Sequence, residues 1–228
     1  MTWAEIRTIH ILLPKSSAGF HQHPNGGGWV TDTSSVMDTA YIGECALVGG
    51  NATVRGNATV RDGALVENNA IIWGDATVRD CATVGGHATV RDSATVGGHA
   101  TVQDYAVVQD YAVVGGNALV GGHAEVRGSA EVRGNVTVGM NMLILADRDV
   151  MYVAPCGSGN RGLTIGKLAD GGIGYITGCF EGTADEFETA VRAKHKDNAF
   201  GQEYRAIIAL ARIRFGKAEE KNNELGRN

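Results

Sequence analysis

Three histidines, His87, His99 and His123, stand among Gly, Asn, Asp and short β-branched residues. A histidine within hydrogen-bond reach of an acceptor hydroxyl or amine could serve as a general base. Three imidazoles converging within about 2 Å of one point could hold zinc. Arg55, Arg91 and Arg127 recur at 36-residue intervals with Trp73 and Gln109 midway between them. Their forked guanidinium groups suit a phosphate or carboxylate ligand. Arg61, Arg79 and Arg133 form a second such series. The other chemical signals are weaker. Gly157-Ser-Gly-Asn-Arg-Gly162 has the composition of a phosphate-cradling loop but lacks Gly-Lys-Ser/Thr and a following helix, so it reads as a connector. His21 and His23 read as part of an exposed loop. Cys179, beside Phe180 at an expected strand end, reads as buried rather than reactive. No HExxH motif and no Ser/His/Asp order are present.

What positions these residues is a six-residue period. An aliphatic side chain occupies every sixth position from Val30 to Val150, 21 sites without a miss. Two residues before each, alanine fills every site from Ala40 to Ala130, sixteen in succession. Side chains alternate across a strand, so Ala(i−2) and Val(i) point one way while Thr(i−1) and Arg(i+1) point the other. Gly, Asn or Asp follows each pair, as in Gly56-Asn57, Asp62-Gly63 and Gly86-His87, and these residues accept the positive φ that turns a chain. A helix is excluded because a spacing of six would spiral the valines around its surface.

The pattern over residues 30 to 150 resembles the hexapeptide-repeat family. That resemblance implies a left-handed parallel β-helix of triangular section with three hexads, or 18 residues, per coil. Twenty hexads then make six to seven coils, a prism about 32 Å long. The Gly-Gly-Trp-Val entry at Gly27–Val30 is similar to that of bacterial hexapeptide proteins of the YdcK type, called acetyltransferases without an assigned activity. Many members of the family are trimeric acyltransferases, in which a histidine activates the acceptor between subunits and acyl-coenzyme A lies along the prism. On that implication His87, His99 and His123 are the candidate bases and acetyl-coenzyme A the cofactor. The same positions of other hexads hold Asn51, Asn57, Ser93, Tyr105 and Asn117, however, so a plain turn role is preferred, and no loop interrupts the repeat. Zinc is disfavoured: His87 and His123 fall two coils apart, roughly 10 Å, with Tyr105 between them, and His99 lies on another corner.

The coil register also sorts the outward residues. Arg55, Trp73, Arg91 and Arg127 share one face, a candidate ligand site, although pairing of arginines with Asp62, Asp80, Asp92 or Glu67 in solvent is the simpler expectation. A third face carries Leu47, Leu65, Thr83, Thr101 and Leu119 with Gly85 and Gly121, and reads as a subunit interface or the resting place of a terminal segment.

Residues 1–29 read as an N-terminal cap, with a strand through Ile9-Ile11-Leu13 and with Trp3, Phe20 and Trp29 covering the first coil. Residues 151–215 read as a small α+β module: a strand at Met151–Ala154, a hairpin of 163–168 with 173–179, and two helices. The capping box Thr183–Glu186 starts the first helix, with Phe187, Ala190 and Val191 on its apolar face. Tyr204, Ile207, Ile208, Ala211 and Phe215 mark the second. Residues 216–228 read as a frayed tail. The run Thr177–Thr183 with Tyr204–Ile207 resembles a module of phage and prophage proteins. About 65 residues make a marginal core, so docking on the last coil or on a neighbouring subunit is expected.

Net charge is −5, which argues against a general nucleic-acid binder. No 18-residue apolar run and no charged, apolar, small-residue leader is evident, so neither a membrane span nor a signal peptide is expected. Four cysteines without CxxC spacing suggest reduced thiols in a cytoplasm. The expectation is a non-enzymatic homotrimeric scaffold binding a host protein. An acyltransferase and a binder of a small anion in a subunit cleft stand as alternatives.

Overall fold

The computed structural model describes residues 1–10 and 13–216. Its centre is a parallel β-solenoid. Twenty short strands, β2 (Trp29–Thr31) through β21 (Leu143–Ile144), wind into about six and a half coils whose sides form three parallel sheets. Registration is by 18 residues throughout: Thr77 pairs with Thr59 below and Thr95 above, and Val78 with Val60 and Val96. Each rung donates to the next, as in Thr77 N to Ala94 O and Arg79 N to Val96 O, both 2.9 Å.

The interior is what the period requires. Every alanine from Ala40 to Ala130 and every valine or isoleucine of the same rungs is buried to within about 1% exposure. One small and one branched side chain per side fill a narrow triangle, and the Thr or Arg between them faces out. A left-handed residue stands at every sixth position from Gly50 to Met140, with φ between 55° and 82°. Gly, Asp and Asn supply all of these corners except Met140. The aspartates do more than tolerate the conformation. Asp80 accepts from Gly98 N at 2.8 Å, Asp104 from Gly122 N at 3.0 Å and Asp110 from Gly128 N at 2.8 Å. Each carboxylate thus satisfies a corner amide one coil further on.

The N-terminal segment differs from the strand that alternation at Ile9-Ile11-Leu13 suggests. Trp3–Ile9 is a helix, α1, and Ile11 lies outside the described residues. The deciding feature is the capping box at Thr2 and Glu5, where the Glu5 carboxylate accepts from Thr2 N at 2.7 Å. Ile6 is fully buried, and Trp3 packs against Phe20 at 4.6 Å and Trp29 at 4.9 Å. His21 and Gln22, expected in a loop, instead lie with Phe20 in a strand, β1 (Phe20–Gln22), paired antiparallel with β2. His21 is exposed and bonds Asp32 at 2.9 Å, whereas His23 is 3% exposed.

After the last coil, β22 (Val150–Cys156), β23 (Arg161–Lys167), β24 (Ile173–Thr177) and β25 (Phe180–Thr183) form an antiparallel sheet in that order. The helices α2 (Ala184–His195) and α3 (Ala199–Phe215) follow. Leu163, Ile165 and Tyr175 belong to one core with Phe187, Val191, Ile207, Ile208 and Phe215 from the helices. The alternate residues meet the solenoid. Thr137 N donates to Thr164 Oγ1 at 3.1 Å, and Gly166 and Gly174 leave room for the Met142 thioether. Met142 replaces the inward alanine of the final rung and plugs it, together with Leu168 and Val150. The module therefore docks on the last coil of its own chain. The expected tail falls largely outside the described residues, at 217–228.

The third face is covered at both ends. Trp3 of α1 sits on Trp29 at its start, and Ile176 approaches Gly139 at its finish. Terminal segments thus rest on this face, with Thr83, Thr101 and Leu119 partly exposed between them.

Asp149 ties coil to module. Its carboxylate, 7% exposed, lies 2.5 Å from Lys167 Nζ and accepts from the amides of Leu145 and Ala146 at 3.2 and 3.0 Å. Burial pushes its pKa up, but Lys167 and the two amides outweigh this and hold it below the ordinary aspartate value of 3.8. A depressed carboxylate stabilises the fold fully above the unfolded-state value and ceases to do so as pH falls below it.

Two predictions follow from these contacts. Ala88→Leu, which overpacks a rung, destabilises by about 1–3 kcal/mol, while the outward neighbour Thr89→Leu changes stability by less than about 0.5 kcal/mol in urea unfolding. Asp149→Asn lowers stability by about 2 kcal/mol at neutral pH, with Lys167's exposure weakening the pair, and that deficit relative to the parent chain shrinks as pH falls below the ordinary aspartate value.

Candidate functional site

The first face carries the strands from Ser35–Val36 through Leu143–Ile144. Its outward column one residue after each inward aliphatic runs Met37, Arg55, Trp73, Arg91, Gln109, Arg127, Leu145. Because the strands pair in parallel without slippage, residues 18 apart are neighbours one rung away.

The column divides into a paired half and an open half. Arg91 lies over the Trp73 indole, 5.7 Å from its centre, and its guanidinium donates to the Gln109 carbonyl. Arg91 also approaches Asp92 at 3.8 Å. Gln109 is 8% exposed as a result. Arg127 pairs with Glu125 at 3.0 Å, and its Nε is buried without a hydrogen-bond partner among the described residues. Arg91 and Arg127 are therefore engaged within the face. Arg55 is exposed and forms no ion pair among the described residues. With Thr53, Gly56, Ile71, Trp73 and Gly74 it borders a shallow recess of about 460 Å³. This open half can offer one forked cation beside an indole and an isoleucine, which suits a carboxylate or phosphate carried on an apolar group.

Beside Trp73, which the sequence already places on this face, lie large exposed apolar side chains that the chemistry of single residues did not single out. Met37, Ile71 and Trp73 are 47, 40 and 40% exposed, and Leu145 ends the same column. The signal was available in the 18-residue register. Sorted by face, this prism side collects Met37, Ile71 and Trp73, where the second carries Thr59, Thr77 and Thr95.

The histidines form a different arrangement. His87 and Tyr105 stack with centroids 5.0 Å apart and planes 3° from parallel, and Tyr105 and His123 stack at 5.1 Å and 10°. Asn69 Nδ2 reaches His87 at 3.4 Å and Asn51 reaches Asn69 at 3.5 Å. Five successive corners thus stack into one polar and aromatic ladder. Tyr105 separates the two imidazoles, and His99 stands on another corner, in line with Cys81 and Asn117. The three histidines are exposed and do not converge. Among the described residues no three His, Cys, Asp or Glu side chains come together to hold a metal.

On the second face Arg61 bonds Asp62 and Arg79 bonds Asp80, both at 2.8 Å, and Arg133 bonds Glu131 at 2.7 Å. These are solvent-exposed pairs of small energetic weight. Cys179, expected to be buried, is exposed at the tip of the tight turn between β24 and β25. Gly178 there has φ +58°, so the chain reverses one residue earlier than a longer strand would allow, and the thiol turns outward. No helix among the described residues is long and apolar enough to cross a membrane.

No family model, curated protein or solved structure matches the chain.

Arg91→Ala should strip one side of Trp73 and leave Gln109 unpaired. We expect a stability loss of about 1 kcal/mol and a rise in acrylamide quenching of tryptophan fluorescence, since Trp3 and Trp29 pack on each other elsewhere. Unchanged quenching would contradict the contact.

Proposed function

We propose that the chain is a non-enzymatic binding scaffold whose first face docks a protein partner. The observation that carries this reading is the grouping of exposed Met37, Ile71 and Trp73 around Arg55, a cation without an ion pair among the described residues. Contiguous exposed apolar side chains with a polar rim mark interaction surfaces. Trp and Arg are the side chains that most often anchor such contacts. The partner segment would bring an apolar side chain to the recess and an acidic group to Arg55. In keeping with the resemblance of residues 177–183 and 204–207 to a phage-associated module, the partner is a host protein; in keeping with the hexapeptide-repeat resemblance of residues 30–150, the assembly is a homotrimer. Four unpaired cysteines suit a reducing cytoplasm.

The acyltransferase alternative has less to support it. His87 and His123 are stacked on Tyr105. A binder of a small anion would use the same Arg55 recess but has no need of Met37 and Ile71.

The test is partner capture with the full chain and two charge variants. Trp73→Glu on the first face is expected to abolish capture, and Thr77→Glu on the second to preserve it. The captured complex should contain three 23.9 kDa chains. Capture indifferent to Trp73→Glu would refute the docking face. Loss of the trimer itself in Trp73→Glu would make this face the contact between copies. A rise in melting temperature with acetyl-coenzyme A, lost in His87→Ala or His123→Ala, would favour the transferase.

A further inference from the structure

The C-terminal module contains a recess of about 490 Å³, lined by no residue of the prism. It lies between the turn joining β24 to β25 and the apolar side of α2 that carries Phe187 and Val191. Its wall is aromatic: Phe180 and Phe187 pack at 5.2 Å, and Tyr204 meets Phe187 edge-on at 5.6 Å. Ala190 and Val191 complete the apolar floor.

The charges around this wall have one sign. Arg161, Lys194 and His195 line the recess, and no Asp or Glu does so among the described residues. Arg161 lies against the Gly178 backbone, with Nη1 3.0 Å from the position a side chain there would take. Neither Arg161 nor Lys194 forms an ion pair among the described residues, although the neighbouring helix cations do: Arg192 and Arg212 share Glu188, each at 2.6 Å. His195 is 8% exposed overall, touches Phe200 and Tyr204 through its ring, and is one of the residues that line the recess. An imidazole in the lining of a recess can donate to or accept from a ligand held there. The nearest carboxylate on α3, Glu203, is occupied by Gly157 N at 3.1 Å.

We infer that this recess binds a small aromatic carboxylate. The ring would lie on Phe180 and Phe187, and the carboxylate would meet Arg161 and Lys194, with His195 donating or accepting at its inner end. The volume is within the range of small-molecule sites, which are mostly apolar with a few convergent polar groups. Both features are present in one place, and the excess of cations selects an anion over a neutral ring. This inference is independent of the docking face, which lies on the solenoid.

Cys179 at the mouth of the recess provides the readout, and Cys81 on a solenoid corner the internal reference, since both thiols are exposed. The full chain is alkylated with iodoacetamide, with naphthylacetate or its neutral analogue naphthylethanol present at about 5 mM, and each site is followed by peptide mass spectrometry. We expect naphthylacetate to slow Cys179 about fivefold with Cys81 unchanged, and naphthylethanol to slow it less than about twofold. In the double variant Arg161→Ala, Lys194→Ala, whose exposed side chains are removable without disturbing the core, the protection should disappear while the melting temperature holds. Equal protection by the alcohol, protection that survives the double variant, or no protection of Cys179 would each overturn the assignment.

Discussion

Everything outward in this molecule depends on one packing constraint, the filling of a narrow triangular interior by an alanine and a branched aliphatic on each side. The pair is small enough to let backbones close into a coil and large enough to leave no space between coils. Because its volume hardly changes from rung to rung, parallel hydrogen bonds such as Thr77 N to Ala94 O keep an unbroken 18-residue register. A one-residue slip would turn every valine to solvent. The corners are equally constrained. Left-handed residues recur at every sixth position, and Asp80, Asp104 and Asp110 serve both as corner formers and as acceptors for the coil above.

Strict register turns the surface into columns, and the columns set the chemistry. Residues 36 apart are held about two rungs from each other whatever they are, which is why His87 and His123 are separated by the thickness of Tyr105. The same rule places Arg91 between Trp73 and Gln109 and so consumes a guanidinium that, read alone, looks free. Arg55 has Trp73 above it and Met37 below, and neither carries a charge. A prism of this kind distributes side chains along lines, whereas catalysis and metal binding ask for convergence at a point. Convergence arises instead where the period ends, in the module built on Met142.

The solenoid was legible because its information is local and repeated. The Ala-x-Val spacing gives the inward pair, and counting by 18 gives the neighbours, including the His87–Tyr105–His123 stack, while the Arg61–Asp62 and Arg79–Asp80 pairs are adjacent in the sequence itself. Helices α2 and α3 were legible from a capping box and from Tyr204, Ile207, Ile208, Ala211 and Phe215, all of which are buried. Elsewhere tertiary contacts decide. At the N-terminus, alternation through Ile9 competes with a cap at Thr2 and Glu5, and the cap, with Ile6 buried, prevails. The strand Phe180–Thr183 is short and carries Gly182, so only its pairing with Tyr175 and Ile176 defines it. The recess beside Cys179 is formed by residues far apart in sequence, from Ser158 to Tyr204, and no local pattern announces it.

The central claim is the stacking of coils 18 residues apart, and distance measurement tests it most directly. Nitroxide labels replacing Thr59 and Thr95, outward residues two rungs apart on the second face, should lie about 10 Å from each other and broaden the continuous-wave resonance spectrum, with unlabelled chain added to dilute contacts between copies. A spectrum equal to the sum of the two singly labelled chains would place them well beyond about 20 Å, as in a helix rising 1.5 Å per residue, and would contradict the stacked solenoid.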